Sequence, residues 1–299
     1  MYLQRLARGA ALATAIALSS CATSQVKEPT PIAAESNLEQ IAKRLKSAGF
    51  PVGDVKKNGP GVVYLFPDIH SIKMNSAHCK VLEYLEHNEG LELIALEGCA
   101  GPITQKEIED NYKFVKEGGS SGMMVHEEIE TIGDFGTYLK VHPLESHILH
   151  SKMPSIGCED NALLNKAQGL SLAKTCLLDY FTSNDEKLKN QSFQKLKEVF
   201  NAYGIGSIDE TKLVKDFIYF NGISTRLDEE FNKVNDDRSI YAANSIKSAM
   251  VAQGTRSAAL IYGAAHGKVI LEQFGATSPS IIVMYTTIDQ LKQLDEVIR

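Results

Sequence analysis

The 299 residues contain no tryptophan and only five cysteines, and no Cys-x-x-Cys or Cys/His pair has zinc-site spacing, which excludes a zinc-knuckle scaffold. Basic charge is also short: 31 Lys and Arg, scattered along the chain, face 37 Asp and Glu, for a net charge of −6. A nucleic-acid binder needs a concentrated basic face to displace counterions, so no nucleic-acid partner is expected. No apolar run approaches the roughly 20 residues that span a bilayer. Gly118-Gly119-Ser120-Ser121-Gly122 lacks the preceding strand and the lysine of a phosphate-binding loop, and Gly204-Ile205-Gly206-Ser207 follows no strand, as a nucleophile elbow must. What is present, 43% hydrophobic and 23% charged residues, is an ordinary globular balance.

Residues 1–20 have the pattern of a secretory signal peptide: Arg5 and Arg8, then the apolar run Gly9–Leu18, then small residues. Leu18-Ser19-Ser20-Cys21 resembles a bacterial lipobox, so Cys21 is expected to carry acyl chains (palmitate among them) after cleavage. Several chains on one cysteine give stable attachment where a single chain is marginal. Residues 21–36, polar and Pro-containing, are expected to be a flexible tether. The expected location is the bacterial cell envelope, lipid-anchored at the outer membrane or periplasmic face of a Gram-negative cell. Cleavage leaves 29 Lys and Arg against 37 Asp and Glu, so the charge of the mature chain is −8. Cys79, Cys99, Cys158 and Cys176 then meet an oxidising compartment, where two, one or no disulfides are open; Cys99 and Cys158 are expected to lie close together.

Residues 37–299 are expected to form a single α/β domain. Short apolar runs at Gly61–Phe66, Leu91–Leu96, Pro154–Gly157, Ala258–Tyr262 and Ser280–Tyr285 predict strands. Helical patterns at Leu38–Ala48, Ser76–His87, Gln105–Glu117 and across about 161–253 separate them. Helices between apolar strands imply a mainly parallel sheet flanked by helices, with the 161–253 section as a helical insertion. Gly118–His150, rich in Gly, Ser and His, is expected to be a loop or lid.

Polar residues stand at the carboxyl ends of four predicted strands: Asp68 and His70, Glu97, Glu159 and Asp160, and His266. Ligands of open parallel sheets bind at that edge, so these residues are expected to share a site. Asp68 and Asp160 also suit helix caps. On the helical stripe of Leu227, Phe231, Val234, Ala242 and Ala249 lies Arg238, a buried cation that needs carboxylates or a ligand. Two histidines and a carboxylate, His70, Glu97 and His266, are suitable ligands for Mn²⁺, Co²⁺ or Zn²⁺. The same groups also suit metal-free catalysis, with a histidine base, an orienting carboxylate and Arg238 on an oxyanion. His126, His142, His147 and His150 have no clean two-ligand helix spacing, and Tyr112, Tyr203, Tyr241 and Tyr262 are potential haem ligands.

Phe66-Pro67-Asp68-Ile69-His70, Ala95-Leu96-Glu97-Gly98, Ile156-Gly157-Cys158-Glu159-Asp160, Asp237-Arg238 and Tyr262-Gly263-Ala264-Ala265-His266-Gly267 together resemble the TraB/Tiki superfamily, which includes likeness to erythromycin esterases and ChaN-type haem-binding lipoproteins. The likeness runs from about Gly61 to Gly275. It implies that His70 and His266 are the motif histidines, with Pro67 in the place of the first motif's glycine, that Glu97 and Arg238 are the motif Glu and Arg, and that Glu159 is an acidic third-strand residue. The implied function is an exported hydrolase of peptide or ester bonds, metal-dependent as in Tiki-type members or metal-free as in erythromycin esterases. A non-catalytic lipoprotein that binds haem or another ligand is the implied alternative.

Overall fold

In a computed structural model of the chain, residues 34–68, 72–116 and 134–284 are described, and the fold is a mostly parallel sheet flanked by helices. The strands are β1 (Val55–Lys56), β2 (Gly59–Asp68), β3 (Leu93–Leu96), β4 (Ala100–Pro102), β5 (Ser155–Cys158), β6 (Ser257–Gly263) and β7 (Pro279–Val283). Their order is β1-β7-β2-β6-β3-β5-β4, parallel throughout except for the two short edge strands, which pair antiparallel with β7 and β5. Those edge strands carry too few residues to show a period in the sequence. The central strands are buried on both faces, which is why they appear as unbroken apolar runs.

Two cores sandwich the sheet. On one face Tyr64, Phe66, Ile94 and Ile261 pack against the helices α1 (Ala34–Ser47), α2 (Ile72–Asn88) and α3 (Gln105–Lys116), together with α4 (Phe135–Val141) and α5 (Pro143–Ser151). The last two correct the expected loop over Gly118–His150: its C-terminal part is helical, because Tyr138, Leu144 and Ile148 are buried against this core. The Gly118–Gly122 run and His126 lie outside the described residues, as do the leader, Cys21 and the tether up to residue 33, whereas the last three tether residues, 34–36, already belong to α1. On the opposite face Val63, Leu65, Ala95 and Leu260 meet Ala242, Ala243 and Ile246 of a long helix.

A third core belongs to helices alone: α6 (Asn161–Thr182), α7 (Glu186–Tyr203), α8 (Glu210–Lys215) and the first half of α9 (Phe217–Gln253). Asp160 caps α6 by accepting from the N–H groups of Ala162 at 2.8 Å and Leu163 at 3.0 Å. The 37 residues of α9 extend about 55 Å, long enough to serve two cores. Ile223, Leu227 and Val234 enter the helical core, whereas Ala242, Ile246 and Met250 enter the sheet core. The changeover falls at Asn235–Ser239, beside the carboxyl edge of the sheet.

Candidate functional site

Strand register determines which side chains meet. Asp68 pairs with Gly263, and Leu96 pairs with both Ile261 and Gly157, so the strand ends holding Asp68, Glu97, Glu159 and Gly263 are level. Gly98, at φ +90°, turns the chain straight after Glu97, a left-handed conformation that glycine adopts without strain. The chain then returns as β4 beside β5, and the Glu159 N–H donates to the Cys99 carbonyl at 3.0 Å. Gly157 makes this approach possible, because a Cβ there would strike the Cys99 carbonyl.

Arg238 of α9 reaches over this edge and joins both glutamates. Its Nε donates to Glu159 Oε2 at 3.1 Å and its Nη2 to Glu159 Oε1 at 2.5 Å, a two-pronged pair. Nη2 also donates to Glu97 Oε1 at 2.8 Å, and Nη1 to Asn235 Oδ1 at 3.2 Å. The Tyr262 hydroxyl donates to Glu159 Oε1 at 2.7 Å, and the Gly263 N–H to Glu97 Oε2 at 2.5 Å. Burial works against the Arg238 charge, but Glu159 and Glu97 outweigh it and hold the guanidinium more firmly protonated than usual. Burial, and then the charge of Glu159, push the Tyr262 hydroxyl well above its ordinary pKa, so it remains a donor.

His266 closes the cluster from the short 3-10 turn Ala264–His266 after β6. Its Nδ1 lies 2.7 Å from Ser239 Oγ and 3.2 Å from the Asn235 carbonyl oxygen. Ser239 Oγ gives its own proton to the Asn235 carbonyl at 2.7 Å, so toward His266 it accepts. This network assigns the proton to Nδ1 and leaves the Nε2 lone pair free, 3.8 Å from Glu97 Oε1. Burial first, and the nearby Arg238 charge, lower the His266 pKa against the pull of Glu97, which favours the neutral base.

A cavity of about 580 Å³ opens on Glu97 and Arg238 and is walled by Asp68, Asn75, Asn111, His142 and Glu145, with Leu96, Ile108 and Leu144 as apolar surface. His266 is not among its lining residues; its Nε2 lies 3.8 Å from Oε1 of Glu97, which is. Asp68 lies at the cavity and is buried, but its near neighbour is His78, with Nε2 3.3 Å from Oδ1. His70 lies outside the described residues. Glu97, Glu159, Arg238 and His266, the other expected site residues, therefore converge, while Asp68 belongs to a separate buried pair. Sequence reasoning missed Asn235 and Ser239, although Asn235 stands three residues before Arg238 and four before Ser239, spacings that bring each pair together on the helix surface. It also missed His78, which gives no signal apart from its place in an apolar helix.

Two histidines of the tract have structural partners: His147 Nε2 meets Glu86 Oε1 at 2.7 Å, and His150 Nδ1 meets the Ser146 carbonyl at 2.6 Å. Cys79, Cys99, Cys158 and Cys176 are free thiols. Cys99 and Cys158 are neighbours at the β4–β5 edge, where Ala100 pairs with Cys158, and they pack against different cores. Of the expected metal ligands His70, Glu97 and His266, the first lies outside the described residues. Among the described residues no three His, Cys, Asp or Glu side chains group to hold one, and Glu97 already gives one oxygen to a guanidinium and the other to a backbone N–H. Haem fares no better at the Tyr262 hydroxyl, which is committed to Glu159, or at the Tyr203 hydroxyl, which donates to the Asn165 carbonyl.

No family model matches the chain. A curated relative, a type II restriction enzyme (MjaIII) of Methanocaldococcus jannaschii, is 26% identical over 207 residues, covering 64% of this chain and 63% of its own length. Among solved structures, a histidine-to-asparagine mutant of the erythromycin esterase EreC in its open conformation is 12% identical over 76% of this chain and 64% of its own, with a TM-score of 0.28. A Bacillus cereus protein is 9% identical over 76% of this chain and 66% of its own, with a TM-score of 0.25. The chain thus spans under two thirds of the curated relative and of the esterase. Superpositions this loose carry no argument about activity, and the α/β architecture stands on its own strands.

Proposed function

We propose that the chain hydrolyses an ester or peptide bond in a small substrate, with His266 as general base and no metal. The observation that carries this reading is the position of His266, whose Nε2 lies 3.8 Å from Oε1 of Glu97, a residue lining a cavity of substrate size. A single water within hydrogen-bond distance of both atoms would lose its proton to Nε2 while Glu97 orients it. Arg238 spends four N–H groups on Glu159, Glu97 and Asn235, which leaves one Nη1 N–H, among the described residues, to meet the oxyanion as the carbonyl is attacked. Protonated His266 then returns the proton to the leaving group. Glu159 and Tyr262 hold the guanidinium in place and do not touch substrate.

The test is hydrolysis by the full-length chain of nitrophenyl esters and a peptide library, with and without EDTA. Activity that survives EDTA and falls at least 100-fold in His266→Ala supports the reading. Full activity in His266→Ala overturns it, and activity restored only by added Mn²⁺, Co²⁺ or Zn²⁺ replaces it with a metal mechanism. We further propose export and acylation at Cys21, supported by the lipobox-like Leu18–Cys21 segment. Mass spectrometry of the membrane fraction should find the acylated N-terminus, and Cys21→Ser should release the chain in soluble form.

A further inference from the structure

The cavity has further polar lining residues, Asn75, His142 and Glu145, that the proposed hydrolysis does not use. Glu145 of α5 is fixed by the Asn111 amide, whose Nδ2 donates to Glu145 Oε1 at 3.1 Å and to the Tyr138 hydroxyl at 2.7 Å. Its other oxygen, Oε2, is buried without a hydrogen-bond partner. The same holds for Asn75 Oδ1 and His142 Nε2, and both of those side chains are more than nine-tenths buried. All three residues line the cavity. Leaving a buried polar atom unpaired is costly, so three on residues lining one cavity are a concentration that calls for a partner.

Their chemistry specifies that partner. Asn75 Oδ1 and Glu145 Oε2 are acceptors, and His142, stacked on Tyr138 at 4.1 Å and pushed by burial down to a pKa of about 4, brings no positive charge. Asp68, Glu97, Glu107 and Glu145 line the cavity against one cation, Arg238, which is already bound to Glu97 and Glu159. Among the described residues no cation pairs with Glu145. Burial raises the Glu145 pKa against the hydrogen bonds from Tyr138 and Asn111, so its carboxylate is short of counter-charge.

We propose that the Asn75–His142–Glu145 set is a recognition subsite for a protonated amine on the substrate. The amine supplies hydrogen-bond donors to the unpaired acceptors and a positive charge to Glu145, while the apolar body lies on Leu96, Ile108 and Leu144. The idea that the occupant is a substrate rests on the hydrolase reading; the preference for a cation does not. Phosphate esters and other anions are disfavoured at this subsite.

The test is calorimetric binding to the full-length chain of 4-phenylbutylamine, 4-phenylbutanol and 5-phenylpentanoate, probes matched in their apolar part. The amine should bind at least tenfold more tightly than the alcohol, and the acid most weakly. Glu145→Gln should bring amine and alcohol to within about twofold, and Asn75→Ala, which tests the subsite independently should Glu145→Gln misfold, should weaken the amine alone. Equal binding of amine and alcohol by the wild-type chain overturns the proposal. Binding with the amine preference but no hydrolysis of any ester sinks the hydrolase reading and leaves the subsite standing. Hydrolysis with no amine preference does the reverse.

Discussion

Replacing Arg238 by Met tests the organisation of the site most directly. Glu159 has a fully buried side chain and receives three hydrogen bonds, two from Arg238 and one from Tyr262. Removing the guanidinium takes two of the three hydrogen bonds from Glu159 and one from Glu97. Breaking one side of a buried ion pair costs about 3–5 kcal/mol, far more than the 0–1 kcal/mol of a surface pair, because the remaining charge stays desolvated. For a chain of this size that should lower the melting temperature by roughly 10 °C. Glu159→Met in the same background removes the stranded charge and should recover more than half of the loss. Urea denaturation of the wild type, both single variants and the double variant gives the coupling, expected to exceed about 2 kcal/mol. Additive effects, or a loss below 1 kcal/mol in Arg238→Met, would show that the two glutamates are not held by this guanidinium.

Other residues make independent claims. Ser239→Ala removes the acceptor that holds the His266 Nδ1 proton; kcat should fall about tenfold with KM unchanged, and the acid limb of the pH profile should move to lower pH, since the imidazolium loses an acceptor. Unchanged limb and rate would deny Ser239 its positioning role. Gly157→Ala drives a methyl into the Cys99 carbonyl and should cost about 2 kcal/mol or more by thermal melting; a neutral effect would mean that the β4–β5 approach is not tight. His78, His142 and His266 all have pKa values lowered chiefly by burial, so the unfolded chain takes up their protons before the folded one does. Their contribution is therefore intact above the unfolded pKa of about 6.5 and is lost as pH falls toward the folded values, about 4 for His142. Urea midpoints should drop between pH 6.5 and 5, less steeply in His142→Gln, and a flat profile would refute the assignment.

How much of the site the sequence revealed depends on whether a residue's neighbours are local. Glu97 and Glu159 could be found because each directly follows an apolar strand, and parallel register brings such positions level. Arg238 was visible as a charge on an apolar stripe. Ser239 and Asn235 were not, since short polar residues are common in helices and only the turn holding His266, 27 residues beyond Ser239, gives that hydroxyl its purpose. Asp68 illustrates the opposite failure: its strand-end position matches that of Glu97, yet its near neighbour is His78, which points back from α2. The helices within 134–151 were hidden by their Gly and His content, and burial of Tyr138 and Leu144 overrides that composition.

The long helix α9 shows why the polar cluster lies where it does. One helix cannot present a continuous apolar face to two cores on different sides without a step between them. Here the step falls after Val234 in the helical core and before Ala242 in the sheet core. Apolar side chains at Asn235, Arg238 and Ser239 would have denied the Glu97 and Glu159 carboxylates at the sheet edge the cationic donor they share. Polar ones satisfy both glutamates and fix the tautomer of His266. The requirement to join two cores and the requirement to hold a base are met by the same three residues, so substitution there should disturb stability and activity together, whereas substitution at Glu145 should change ligand preference first.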